Sequence, residues 1–171
     1  MYIKILTGDI TSYSADVIVT AANSKLIGGG GVDAAVHKAA GPNLLKALKK
    51  FNGCDSGDAV ITKAFNLNAK YVIHAVGPIY EGGGNQEEKF LYSAYKKSIK
   101  LSKSVGARTV LFPAISTGVY GYPMKEAAKI AVEALNLSCQ HYDYTGEVSM
   151  VCFDNVSFSV FKALLNCRRI S

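Results

Sequence analysis

Short apolar runs alternate along this chain with longer stretches in which apolar residues recur every three or four positions. Residues 2 to 6 and 17 to 21 read as strands, as do Ala59 to Thr62, Tyr71 to Val76, Val110 to Pro113 and Val148 to Phe153. Val32 to Lys50 carries helical spacing interrupted at Gly41-Pro42, and further helices are expected near 87 to 104, 124 to 137 and 157 to 167. Several of the strands are apolar almost throughout, the pattern of strands covered on both faces. Strands separated by helices in this way imply three layers, α/β/α, around a largely parallel sheet. No repeat at a solenoid-like period and no Pro/Ser-rich linker divides the chain, so residues 1–171 are expected to form one domain.

Composition narrows the picture without choosing a function. The 171 residues are 49% hydrophobic and 19% charged, which excludes a disordered or low-complexity chain. A chain of this size can bury about 70% of its unfolded surface around one core. No apolar stretch approaches the roughly 20 residues that a bilayer crossing takes. The start, Met1 to Asp9, lacks the basic segment and long apolar core of a secretory signal, so a cytoplasmic location with no membrane partner is expected. Cysteines at 54, 139, 152 and 167 form no C-x-x-C pair, and no two histidines stand at ligand spacing, so zinc has no evident site and reduced packing cysteines are expected. The net charge of +6 favours acidic partners but selects none. Lys96, Lys100 and Lys103 share one helical face, which reads as a solvated surface, and nucleic acid is not expected as a partner.

Candidate chemistry gathers at strand exits, where open α/β sheets bind their ligands. Gly28 to Gly31 is four residues of bare backbone running into a helix, so its amides and those of the first helical turn can approach an anion closely. The string is neither G-x-x-x-x-G-K-[ST] nor G-x-G-x-x-G, which removes a Walker-type nucleotidase and a Rossmann dehydrogenase. Ser116 to Gly121 repeats the recipe at another exit, and two such loops on one sheet edge point to a diphosphate held between them. Asp33 falls in the first helical turn, where the dipole favours a carboxylate, and it would face a neutral, hydroxyl-bearing part of the ligand. Asn23 suits vicinal hydroxyls but equally suits a turn, and Asp9 either starts a turn or accepts from an exocyclic amine such as that of adenine. Tyr120, Tyr122 and Phe153 offer flat surfaces to a sugar or base. His37 and His74 read as core or rim residues, Ser116 lacks the G-x-S-x-G elbow of a serine hydrolase, and Cys54 has no activator nearby in sequence.

Several strings, taken in order, carry a family resemblance. They are Gly8-Asp9-Ile10-Thr11, Ala15 to Ser24, Gly28 to Asp33, His37 with Ala39-Ala40-Gly41-Pro42, Ile73 to Pro78, and Pro113 to Pro123. Together they resemble the macrodomain family, and within it the MacroD-type ADP-ribosyl hydrolases and O-acetyl-ADP-ribose deacetylases. The resemblance implies an α/β/α macrodomain with a mostly parallel, mixed sheet that binds ADP-ribose, removes mono-ADP-ribose from acidic side chains and deacetylates O-acetyl-ADP-ribose. It implies no metal or cofactor, ADP-ribose and ADP-ribosylated proteins as partners, and a monomer. By position, Asp9 and Ile10 would meet adenine with Phe153 against it, and Gly29, Gly30, Gly31 and Val32 would hold one side of the diphosphate. Ser116, Thr117, Gly118, Val119 and Tyr120 would hold the other. Asn23 and Asp33 would be the catalytic pair at the distal ribose, with Asn23 holding the ribose hydroxyls and an ionised Asp33 either orienting a water or taking its proton. The family pattern usually has Asn where this chain has Thr20, a difference expected to matter little, and Gly where it has Ala34, a difference expected to bear on distal-ribose geometry. A non-catalytic ADP-ribose reader and an ADP-ribose 1''-phosphate phosphatase remain the alternatives.

Overall fold

A computed structural model describes residues 2–167. Its six strands are β1 (Ile3–Thr7), β2 (Ala15–Ala21), β3 (Ala59–Lys63), β4 (Ala69–Ala75), β5 (Thr109–Phe112) and β6 (Glu147–Cys152). They form one sheet in the order β1-β6-β5-β2-β4-β3. Every neighbouring pair is parallel except β3 with β4, so the sheet is mixed at one edge alone. The helices are α1 (Gly31–Ala40), α2 (Asn43–Leu48), α3 (Glu87–Ser104), α4 (Met124–His141) and α5 (Asn155–Cys167).

The alternation of side chains along the central strands assembles two cores. Val17 and Val19 of β2, with Val110 and Phe112 of β5 and Met150 of β6, pack against α3, α4 and α5 through Leu91, Tyr95, Ala131, Leu135 and Phe161. Ile18, Leu111, Val72 and Val151 point the other way, onto Val36 and Ala40 of α1 and Leu44 of α2. That division explains why β2 is buried from Val17 through Thr20 rather than at every second residue. The expected α/β/α layering is the observed one.

Element ends differ from expectation for local reasons. The fourth helix runs on to His141 because Ser138 and Cys139 turn inward and are buried. The last helix begins at Asn155, where Asp154 caps it by accepting from the Ser157 amide at 2.8 Å. The break at Gly41-Pro42 is real: Gly41 takes φ +86°, and a short 3-10 turn, Lys49–Phe51, follows α2. Gly8-Asp9 leads into another 3-10 turn, Ile10–Ser12, with Asp9 as its cap.

The pairing of β2 with β5 is short. Val17 lies opposite Val110 and Ile18 opposite Leu111, whereas β2 continues beside β4 as far as Ala21. The chain leaves β2 toward β3 and β4 on one side and leaves β5 toward β6 on the other, so the topology switches direction between them.

Candidate functional site

A cleft of about 640 Å³ opens over that switch point. One wall is Gly29, Gly30, Gly31 and Val32 at the start of α1; the facing wall is Ser116, Thr117, Gly118, Val119 and Tyr120 after β5. Asp9, Ile10 and Phe153 lie at one end and Asn23 and Ala22 on the floor. The structure thus brings together every residue expected to bind ligand, from strand exits far apart in sequence.

Both walls offer donors. The first-turn amides of α1 have no intrahelical partner, and Gly30, its N-cap, supplies no side chain to cover them. In the facing loop the Gly121 amide donates to the Gly118 carbonyl at 3.0 Å and Tyr122 to Ser116 at 2.9 Å, while Tyr80 donates to the Tyr120 carbonyl at 2.8 Å. These bonds fold the loop back on itself and turn its tip toward the cleft. The fold requires Gly77 beneath: a Cβ there would lie 2.2 Å from Ser116 Oγ and 2.5 Å from Ile115 Cγ2. Ser116 itself sits at φ +66°, buried.

At the Asp9 end, Asp9 Oδ1 accepts from the Thr11 amide at 2.8 Å and from the Thr11 hydroxyl at 2.7 Å. The turn role is therefore real, and the exposed carboxylate keeps Oδ2 for another donor. Phe153 is 79% exposed, an aromatic face with nothing against it on the cleft side. Tyr122 does not share that role. It is buried and packs on Tyr80 with ring centroids 4.8 Å apart.

The other end centres on Gly29. Asn23 Nδ2 donates to the Gly28 carbonyl at 2.9 Å and its Oδ1 accepts from the Ile27 amide at 3.3 Å, so this side chain fixes the turn and retains one donor and one lone pair. Asp33 is placed differently from expectation. It is 2% exposed, points down toward β2, and is not part of the cleft wall. Its Oδ2 lies 3.5 Å from where a Gly29 Cβ would stand, and Asn23 Nδ2 lies 3.6 Å from the same point. Gly29, which lines the cleft, lies between it and the carboxylate.

Thr20 corrects a second expectation. Its hydroxyl, wholly buried, donates to Asp33 Oδ1 at 2.9 Å, so the residue that departs from the family pattern anchors the carboxylate. Burial pushes the Asp33 carboxyl above the ordinary carboxylate range, against smaller opposing pulls from His37 and the Thr20 hydroxyl. Desolvation is thus the largest influence on this carboxyl. Ala34, by contrast, is exposed and does not line the cleft; Ala35 does.

His37 and His74 stand beside this carboxylate. His37 Nε2 is 3.6 Å from Asp33 Oδ1, one helical turn away. His74 lies opposite Thr20 in the β2–β4 pairing and is held neutral by burial, with a second push from His37, its pKa falling to about 3. Its Nε2 is 3.0 Å from Thr62 Oγ1. The sequence offered one signal that was passed over, a carboxylate and an imidazole four residues apart on one helix. Cys54 gains no reactivity, because burial foremost, with Asp58 and Asp55 adding to it, pushes its thiol up to about 11. Cys152, on the cleft floor, is likewise pushed up to about 11 by burial.

A family model described as Macro domain matches residues 19–131. The chain is 48% identical over 166 residues to a Klebsiella pneumoniae protein named O-acetyl-ADP-ribose deacetylase, covering 95% of each. It is 46% identical over 164 residues to a macro domain-containing protein of Lactiplantibacillus plantarum, again covering 95% of each. Among solved structures, the Oceanobacillus iheyensis macrodomain with ADP is similar at a TM-score of 0.90 and 39% identity, covering 96% of this chain and 90% of that one. The Trypanosoma brucei macrodomain in complex with ADP-ribose is similar at a TM-score of 0.88 and 35% identity, covering 95% of this chain and 68% of that one. Fold, cleft and sequence agree, and the chain belongs to the macrodomain family.

Proposed function

We propose that this chain is an ADP-ribose-binding hydrolase that deacetylates O-acetyl-ADP-ribose and removes mono-ADP-ribose from acidic side chains, working as a single macrodomain over residues 1–171. The observation that carries this reading is the convergence of Asn23 and Asp33 on the bare face of Gly29, at one end of a cleft walled on both sides by backbone donors. Adenine lies between Asp9 Oδ2, the Ile10 amide and the Phe153 ring. The diphosphate lies between the α1 amides and the loop from Ser116 to Tyr120, and the distal ribose reaches Asn23 with Tyr120 beside it. The names of the Klebsiella relative and the ligands of the two solved relatives support the substrate class.

In the reaction, the spare donor and lone pair of Asn23 hold ribose hydroxyls. Asp33 takes a proton from a water that sits against Gly29, and that water's oxygen attacks the acetyl carbonyl, or the anomeric carbon in a glycosidic ester. The C–O bond to the leaving group breaks, and that group departs with the proton returned to it. A carboxyl raised by burial is a better base near neutrality than an exposed one. Asp33→Ala is expected to lower turnover roughly 100-fold or more while ADP-ribose affinity stays within about threefold, read by release of label from a glutamate-ADP-ribosylated protein and by calorimetry. Unchanged turnover removes Asp33 from the mechanism.

One observation favours a reader instead: Asp33 lies behind Gly29 rather than on the cleft wall. Binding of ADP-ribose without any release of label by the unaltered protein would decide for the reader. The cleft is complete within one chain, the basis for expecting a monomer, and no helix among the described residues is long and apolar enough to cross a membrane, in keeping with cytoplasmic work on ADP-ribosylated proteins.

A further inference from the structure

Beneath the cleft, three elements bring one carboxylate and two imidazoles to a common point. Asp33 and His37 lie one turn apart on α1, and His74 rises from β4 below them. One donor atom from each lies within 4.8 Å of the others. Asp33 Oδ2, His37 Nε2 and His74 Nδ1 are all buried and without a hydrogen-bond partner. Orphaned buried polar atoms are rare and costly, and here three meet in one place.

The tautomer of His74 follows from its neighbour. Thr62 has one hydroxyl hydrogen, which it donates to the Lys63 carbonyl at 3.0 Å. With that hydrogen on the Lys63 carbonyl, the same oxygen, 3.0 Å from His74 Nε2, is an acceptor for the ring proton, and Nδ1 then presents a bare lone pair. Asp33 Oδ1, the oxygen 3.6 Å from His37 Nε2, is likewise held by the Thr20 hydroxyl and keeps a second lone pair for the centre, while Oδ2 lies toward Gly29. Two ligands oriented by outer hydrogen bonds, with lone pairs turned inward, is the arrangement that surrounds a bound metal.

We propose that Asp33, His37 and His74 form a binding site for one zinc-class divalent ion, two nitrogens and one oxygen with a fourth position left to water. Three protein ligands of this kind with an open position are a known zinc geometry, and i, i+4 spacing on a helix puts two of them on one face. Zinc holds its ligands at about 2.0–2.2 Å, so the present 4.8 Å span closes by a shift of about 1 Å or less in each side chain. Gly28 borders the His37 ring, and a Cβ there would stand 4.0 Å from it. The ion engages the carboxylate that the proposed hydrolysis needs, so zinc suppresses turnover; this consequence alone rests on that reading.

The test is calorimetric titration of chelator-stripped full-length protein with zinc, with cobalt as the optical probe and nitrogen NMR of the histidine rings. Saturation at one ion per chain is expected, with a cobalt spectrum free of thiolate charge transfer and a shift of His74 Nδ1. His37→Gln is expected to weaken zinc at least about 10-fold, and Thr62→Val, which frees the His74 ring, by about 10-fold or more, whereas His141→Gln leaves it unchanged. His74 is wholly buried and its replacement risks the fold, so the partly exposed His37 carries the decisive variant. Absence of saturable binding, binding unchanged in His37→Gln, or a thiolate band from the free cysteines overturns the site. Zinc binding without loss of turnover leaves the site standing and counts against Asp33 as the base.

Discussion

Thr20 shows how much one hydroxyl can carry. In a strand it reads as an ordinary β-branched residue, yet it supplies the hydrogen bond that holds Asp33 Oδ1. That bond favours the ionised carboxylate, so removing it in Thr20→Val raises the Asp33 pKa further and shrinks the ionised fraction at a given pH. The acidic limb of the turnover–pH profile is expected to move to higher pH, with ADP-ribose affinity unaltered; a limb that stays in place would disconnect the pair. At this scale the sequence was legible where a residue's place follows from its position at a strand exit, as with the glycines and Phe153, which line the cleft. It was opaque for Asp33, whose burial depends on what β2 and β4 set beneath it, and for the imidazoles, which lie 37 residues apart in sequence.

Among the elements, α5 owes its start to Asp154, whose Oδ1 accepts from both the amide and the hydroxyl of Ser157, the latter at 2.7 Å. Asp154→Ala should cost about 1 kcal/mol, seen as a lower urea midpoint with an unchanged slope. Both residues also line the cleft, so this cap ties the final helix to the adenine-facing end. Strand and helix positions were readable from period alone because the interior strands are mostly apolar and the long helices carry a clear stripe. Ends were not, since they depend on caps such as Asp154 and on inward-turned polar residues such as Ser138. The antiparallel setting of β3 was equally hidden, because an edge strand with half-buried side chains has no period of its own to reveal direction.

For the molecule as a whole, four carboxyls divide into two groups with opposite effects on stability. Asp16 is held low by the Arg108 amide and Lys70, Glu87 by the amides of Glu81, Asn85 and Gly83, and Asp154 by Ser157. With folded values below the unfolded value of about 4, they contribute stability that is full above that pH and lost as pH falls through their lowered values. Asp33 is raised by burial, so its contribution is full below about 4 and lost as pH rises through its folded value. Urea midpoints should therefore climb out of acid and then decline as pH rises through the folded Asp33 value, and Asp33→Asn, which cannot titrate, should abolish the decline. A decline that persists in that variant would assign it elsewhere. The layer order was legible from alternation of strand and helix, whereas the strand order was not, because nothing local records that β5 lies beside β2.

That adjacency has a mechanical outcome. Among the described residues the β2–β5 ladder has two pairs, Val17 with Val110 and Ile18 with Leu111, supplemented at one end by side-chain bonds of Asp16 and Thr109. A nucleotide wedged between their loops acts as a splint across the seam, bracing from outside a joint that the backbone ladder secures weakly. Amide exchange at those rungs should slow on ligand binding more than in the fully laddered β2–β4 pair, so the sheet's thinnest seam doubles as its gauge of occupancy.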